Sequence, residues 1–288
     1  MKQFYDHIDP INSEKPDRGD IFRRLEVPVS RTREEVWEYL EKRIDEPSSP
    51  KLLRFRPRWI IAAAASLILL AGVASVLFYT SRTIVSAPGQ HLSHILPDGS
   101  RVELNADSKI SYKPYRWMFS RIIELSGEGF FEVEPGRTFS VVSTLGTTTV
   151  LGTTFNIYAR DSEYKVNCLT GKVKVVSTTE SFVVLSPSQS AVIENDGKIL
   201  VSRQSNEANP VGWLDNMFDF KAVPFTRVME EIGRQYGVSI QADIPEGIIY
   251  TGHFSKNRPL EETLGVVCKP FGFTFARIAE NEYIISQN

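Results

Sequence analysis

The stretch RWIIAAAASLILLAGVASVLFYTSR constrains this chain more than any other. From Trp59 to Tyr79 it carries no charge over about 21 residues, the length a helix needs to cross a hydrocarbon core. Trp59 at one end and Phe78 and Tyr79 at the other suit interfacial aromatic positions. Ser66, Gly72 and Ser75 interrupt the run only with small side chains. A buried core helix is seldom apolar on every face over this length. A cleavable signal peptide is disfavoured because polar residues 1–58 precede the segment. The segment reads as a transmembrane helix over 59–79. Lys51, Arg54, Arg56 and Arg58 crowd its N-terminal side, whereas Arg82 alone lies close on the other. The positive-inside rule then places residues 1–58 in the cytoplasm and 81–288 outside it. This is a bitopic protein with a small inside part and a large outside part.

Residues 1–58 hold 13 basic and 12 acidic side chains, a near balance in a segment too short to bury a core of its own. SRTREEVWEYLEKRIDEP marks a helix. Thr32 followed by Glu35 has the capping-box form, and Pro47 closes the run. Val36, Tyr39, Leu40 and Arg43 share one face, with Trp37, Leu40 and Ile44 on the adjacent one. A second apolar cluster, Ile21, Phe22 and Leu25, precedes it. A linker helix packing on itself would leave the aromatic residues exposed. The reading preferred is docking on a cytoplasmic partner, helix in groove, through Phe22, Leu25, Trp37, Leu40 and Ile44.

From Val85 to Val201 the chain is a succession of short alternating runs, among them RVELN, RIIELSG, TFSVVST, TTFNIYAR and KVKVVS, closed by Gly, Pro, Asn or Asp. This predicts an all-β domain over 85–201, a sandwich, barrel or short solenoid, with hairpin turns at Asp98-Gly99 and Asp196-Gly197. No chemistry-bearing constellation stands out. His91 and His94, three apart on a strand, would face opposite ways and make a poor metal site. Glu128, Glu132 and Glu134 alternate with Phe130, Phe131 and Val133 as on a half-buried strand. No nucleophile motif accompanies the abundant Ser and Thr. Cys168 and Cys268 lie far apart and are not expected to pair. The formal net charge of −2 gives no electrostatic footprint for nucleic acid. The expectation is a non-enzymatic protein with no cofactor, no metal and no direct nucleic-acid contact.

SRQSNEANP, residues 202–210, reads as a linker, and the pattern changes after it. Over 211–288 the order is β-α-β-β-α-β-β, with Pro224 near the first turn of one helix and Gly237 as its stop. Phe225, Val228, Met229, Ile232 and Tyr236 form the core face of that helix, and Leu260, Leu264, Val267 and Cys268 that of the second. A small α+β domain with two helices against one sheet is predicted. The fold class is therefore a multi-domain membrane protein: a short helical inside segment, one span, an all-β domain and a C-terminal α+β domain.

Four blocks in order, LPDGSRVELNADSKISY, LSGEGFFEVEPGRTFSVVSTLGTTTVLGTTFNIYAR, VNCLTGKVKVV and LSPSQSAVI, resemble the FecR-type periplasmic domain of anti-sigma regulators. The C-terminal segment resembles the domain attached to many Bacteroidetes-type members of that family. It is also similar in order to the short signalling domains of secretins and TonB-dependent transducers. The resemblance implies a single-pass anti-sigma factor whose cytoplasmic segment holds an extracytoplasmic-function sigma factor. Its outer domains would receive a signal from an outer-membrane TonB-dependent transporter during uptake of an iron complex or a glycan. β-Augmentation is a physical mode by which such a tail could meet its partner. Some members cleave themselves at a Gly-Thr bond by an N-to-O acyl shift, and Gly152-Thr153 holds the matching position. The residues alone read there as a strand-start glycine before a β-favouring threonine. Two other classes compete with the regulator. One is an envelope assembly protein using a secretin-like tail, and the other is an anchored hydrolase, which would need a convergent pair of carboxylates.

Overall fold

The computed structural model describes residues 32–44, 57–194, 196–203 and 209–287. The chain divides into two compact units, 1–61 and 62–288. In the first, helix α1 (Arg33–Ile44) begins where the sequence places its cap. The Thr32 backbone N–H donates to Glu35 Oε2 at 2.9 Å, and the Val36 N–H to the Thr32 carbonyl. Glu34 and Glu35 in the first turn and Lys42 and Arg43 in the last complement the helix dipole. Helix α2 (Pro57–Tyr79) holds the apolar run. Over Arg58–Tyr79, 22 residues long, it is sufficiently long and apolar to cross a membrane, rising about 33 Å.

Thirteen strands follow in one continuous hydrogen-bonded system that folds into two facing sheets. The first sheet runs in the order β1 (Arg82–Ser86), β4 (Ser108–Tyr112), the first half of β5 (Arg121–Glu132), β6 (Phe139–Val142), β7 (Gly146–Val150), β10 (Val173–Ser177) and β11 (Phe182–Leu185). The second runs β2 (Leu92–Ile95), β3 (Arg101–Leu104), the second half of β5, β8 (Thr154–Arg160), β9 (Glu163–Cys168), β12 (Gln189–Ile193) and β13 (Ile199–Arg203). Strand β5 thus serves both sheets, and Gly127 is where it turns. Its φ of +105° is open to glycine, and a Cβ there would lie 2.5 Å from Ser108 Oγ. The bend brings the end of β5 back towards its start, where Arg121 Nη1 donates to the Glu134 carbonyl at 3.1 Å, and β6 can pair parallel to it.

The core between the sheets takes inward residues from both, with Ile110, Ile123, Val141 and Val175 meeting Leu104, Phe131, Ile157 and Val166. The Phe131 ring packs edge-on to Phe139, and Thr148 Oγ1 meets Tyr164 Oη at 2.7 Å across the layers. The Asp98-Gly99 turn closes the β2–β3 hairpin with Gly99 at φ +87°. It is tied to the start of β5: Asp98 Oδ2 accepts from Arg121 Nη1 at 2.8 Å, with both side chains largely buried.

The C-terminal region keeps the expected order: β14 (Met217–Pro224), α3 (Phe225–Tyr236), β15 (Ser239–Asp243), β16 (Ile249–Ser255), α4 (Leu260–Cys268), β17 (Phe273–Ala279) and β18 (Glu282–Gln287). Two sheets replace the single one expected. Strand β16 pairs back with β14, whereas β15 takes the last strand, β18, as a parallel partner, and β17 and β18 close the chain as an antiparallel hairpin. Both sheets and both helices share one core, in which Phe225 stands edge-on to Tyr250, Phe271 and Phe273. Val228, Met229 and Ile232 are buried on the same face of α3, and Gly237 at φ +70° ends the helix.

Candidate functional site

The face of α3 opposite its core carries Arg227, Glu231, Arg234 and Gln235, spaced to line one stripe. This stripe lies against the β domain and forms a polar seam. At its centre Glu128, on β5 beside the bend, accepts from Asn105 Nδ2 and Asn156 Nδ2, each at 2.8 Å. Asn105 Oδ1 in turn accepts from Gln235 Nε2 at 2.6 Å, which links the β domain to α3. Gln235 Oε1 meets His91 Nε2 at 2.9 Å and accepts from Lys256 Nζ at 3.0 Å. Farther along, Asp161 Oδ2 pairs with Arg227 Nη1 at 3.0 Å and Arg234 Nη1 at 3.3 Å. The backbone joins in, with the Gly89 N–H donating to the Arg234 carbonyl at 2.8 Å.

The seam perturbs its ionisable groups. Burial, reinforced by the Glu231 charge, pushes the Glu128 carboxyl up to about 7, against the pull of Arg160 and the two asparagine amides. Burial lowers His91, keeping the ring neutral, and lowers Lys256 as well. For Arg234, burial opposes the cation, but Glu231, Tyr158 and Asp161 outweigh it and hold the guanidinium above its ordinary value.

Beside the seam opens a cavity of about 710 Å³, walled by β14 on one side and by Asn156, Tyr158, Lys165 and Asn167 on the other. Three buried polar atoms on its lining residues, Asn156 Oδ1, Asn167 Oδ1 and Trp213 Nε1, have no partner among the described residues. The arrangement is a clasp built round one carboxyl, Glu128, whose value lies near neutrality. Among the described residues no group of three His, Cys, Asp or Glu could hold a metal. Cys168 and Cys268 are both buried free thiols, pushed up to about 11 by burial, which suppresses the thiolate.

Of the residues singled out in the sequence, Trp37, Leu40 and Ile44 fall on one face of α1 and are exposed by 67%, 42% and 78%. Phe22 and Leu25 lie outside the described residues. Thr153 is buried, its N–H bonded to the Val133 carbonyl and its hydroxyl donating to the Lys172 carbonyl at 3.2 Å. Gly152 packs tightly, since a Cβ there would come within 2.7 Å of Pro135 Cα. His91 precedes β2 rather than lying on it, and it reaches Gln235 while His94 meets Tyr112 Oη at 2.9 Å, so the two do not converge. Glu128 corrects the half-buried strand reading. The alternation of β5 breaks at Gly127, Glu128 and Gly129, all buried. The carboxylate between two glycines was the one local signal of the seam.

With this geometry, the chain matches two known families of domain. Residues 82–174 match the FecR protein family and 217–285 the FecR C-terminal family. The chain belongs to the FecR family. Two crystal structures of a candidate anti-sigma factor from Parabacteroides distasonis are similar to it, each with a TM-score of 0.65. They are 27% and 26% identical and cover 73% and 72% of this chain, which in turn covers 100% and 99% of theirs. No curated protein matches.

Proposed function

We propose that this protein is a single-pass anti-sigma factor of the bacterial inner membrane. Residues 1–58 hold an extracytoplasmic-function sigma factor in the cytoplasm, residues 59–79 span the bilayer, and residues 81–288 face the periplasm. There the β domain and the C-terminal domain, residues 211–288, receive a signal from the periplasmic part of an outer-membrane TonB-dependent transporter. FecR membership and the anti-sigma relative support the regulatory class. The observation that carries the sigma-binding site is the apolar face of α1. Trp37, Leu40 and Ile44 stand in solvent on a helix with no buried residue, a surface that costs free energy unless a partner covers it. One span is a poor lever for bending the inside segment, so release of the sigma factor by proteolysis of the anchor is the simpler relay.

The test is a paired substitution, Trp37→Ala with Leu40→Ala, in the full chain. Membrane insertion should be unchanged and capture of the sigma factor should fall by at least about 100-fold, as for loss of two anchor side chains. Undiminished capture would remove α1 from the binding site.

A further inference from the structure

We propose that the loop joining β4 to β5, residues 113–120, is a second membrane contact, seated in the headgroup layer beside the end of the span. The proposal rests on reading residues 59–79 as transmembrane. Its first support is position. The β1–β4 register sets Arg82 opposite Tyr112, and the β4–β5 register sets Tyr112 opposite Ile123. Both ends of the loop therefore stand beside the start of β1. Helix α2 ends at Tyr79, and the Thr80 N–H still bonds to the Val76 carbonyl at 3.0 Å. Only Thr80 and Ser81 separate the helix from β1, a reach of about 7 Å, so the loop is held at the helix end. Direct contacts agree. Phe119 lies 6.3 Å from Phe78, ring to ring, and the Arg116 guanidinium sits 4.8 Å over the Phe78 ring. The Lys113 ammonium is 6.0 Å from the Tyr79 ring.

The second support is the composition and rigidity of the loop. Met118 is 76% exposed, Phe119 75% and Tyr115 55%, an apolar cluster unusual for a water-facing tip. It is not a floppy excursion. Trp117 is buried, edge-on to Tyr112 at 5.4 Å and to Phe139 at 5.9 Å. The Trp117 and Phe119 N–H groups bond back to the Pro114 and Arg116 carbonyls. The one inward aromatic clamps the turn and forces its neighbours outward. Aromatic and thioether side chains interleaved with cations are what the interface between acyl chains and lipid phosphates accepts.

Single-cysteine labelling of the full chain in vesicles of phosphatidylcholine and phosphatidylglycerol tests this. The two native cysteines are buried with raised thiols, so an environment-sensitive fluorophore goes to the introduced residue. A label on Phe119→Cys should be quenched about twofold or more by lipids carrying a quencher near the headgroup. The same label on Ile249→Cys should not be, because Ile249 is exposed on the C-terminal domain, which meets the β domain at Gly89, past the Ser86 end of β1 and away from the span. A label on Leu69→Cys, at the middle of the apolar run and about 15 Å from either interface, is read with lipids carrying the quencher on the acyl chain and reports on the span itself. If lipid quenches position 69 but not position 119, the span stands and the loop contact is overturned. Shielding of position 119 from aqueous iodide without lipid quenching would mean a protein surface covers the loop, and would overturn it equally. Absence of quenching at 69 would remove the span and the loop contact together.

Discussion

Replacing Glu128 with Gln keeps the shape of the seam while removing its titration. A carboxyl with a raised folded value binds its proton more tightly in the folded state than in the unfolded one. Its contribution to stability is then fully present below about 4.5, the unfolded value, and is lost as pH rises through about 7. Between those limits the full effect is about 3 kcal/mol, and between pH 5 and pH 8 it integrates to about 2.5 kcal/mol. His91 works in the opposite sense, since its lowered value contributes stability above the ordinary histidine range that is lost as pH falls. Other groups contribute slopes of their own, so the informative quantity is the difference between wild type and Glu128→Gln. Urea unfolding of the detergent-solubilised chain, followed by tryptophan fluorescence, to which Trp213 beside the seam and Trp117 in the β-domain core contribute, should show wild type losing about 2.5 kcal/mol relative to the variant from pH 5 to pH 8. At a slope of about 2 kcal/mol/M that moves the relative midpoints by about 1 M. A difference that stays flat over this range would refute the reasoning, and would mean that water or a rearranged Arg160 keeps Glu128 ionised in the fold.

Two further substitutions probe the β domain. Gly127→Ala should cost at least about 3 kcal/mol in urea unfolding, through both the positive φ and the close approach of Ser108. Adding Ser108→Gly should not rescue it, because the Ser108 Cα lies at 2.7 Å from the added Cβ. Arg121→Ala strands the Asp98 carboxylate under the β2–β3 turn, and a loss of about 3 kcal/mol is expected by the same assay. The pair Arg121→Met with Asp98→Asn should recover most of that loss, since no buried charge is then left alone.

What the sequence discloses and what it hides divide along physical lines. Local signals were legible: the charge-free run of α2, the capping pair Thr32 and Glu35, the Asp98-Gly99 turn, and the Pro224 and Gly237 bounds of α3. Each is set by residues within a few positions of one another. The seam was not legible, because Asn105 and Gln235 meet across 130 residues and neither carries a mark of its partner. The sharing of β5 between two sheets depends on one glycine's φ, which a strand pattern does not express. Nor did alternation tell β15 to pair with β18, a choice made by the core that both flank. Glu128 looked ordinary because its neighbours on β5 alternate, and only the two flanking glycines hinted that the period fails there.

The central claim is that residues 1–58 hold a sigma factor. Tagged residues 1–58 expressed in the native bacterium, purified under mild conditions and examined by mass spectrometry, test it most directly. The account expects one extracytoplasmic-function sigma factor in near-equal amount with the bait, and its absence when Trp37 and Leu40 are both alanine. An eluate with no sigma factor, from a bait shown to be intact and soluble, would contradict it.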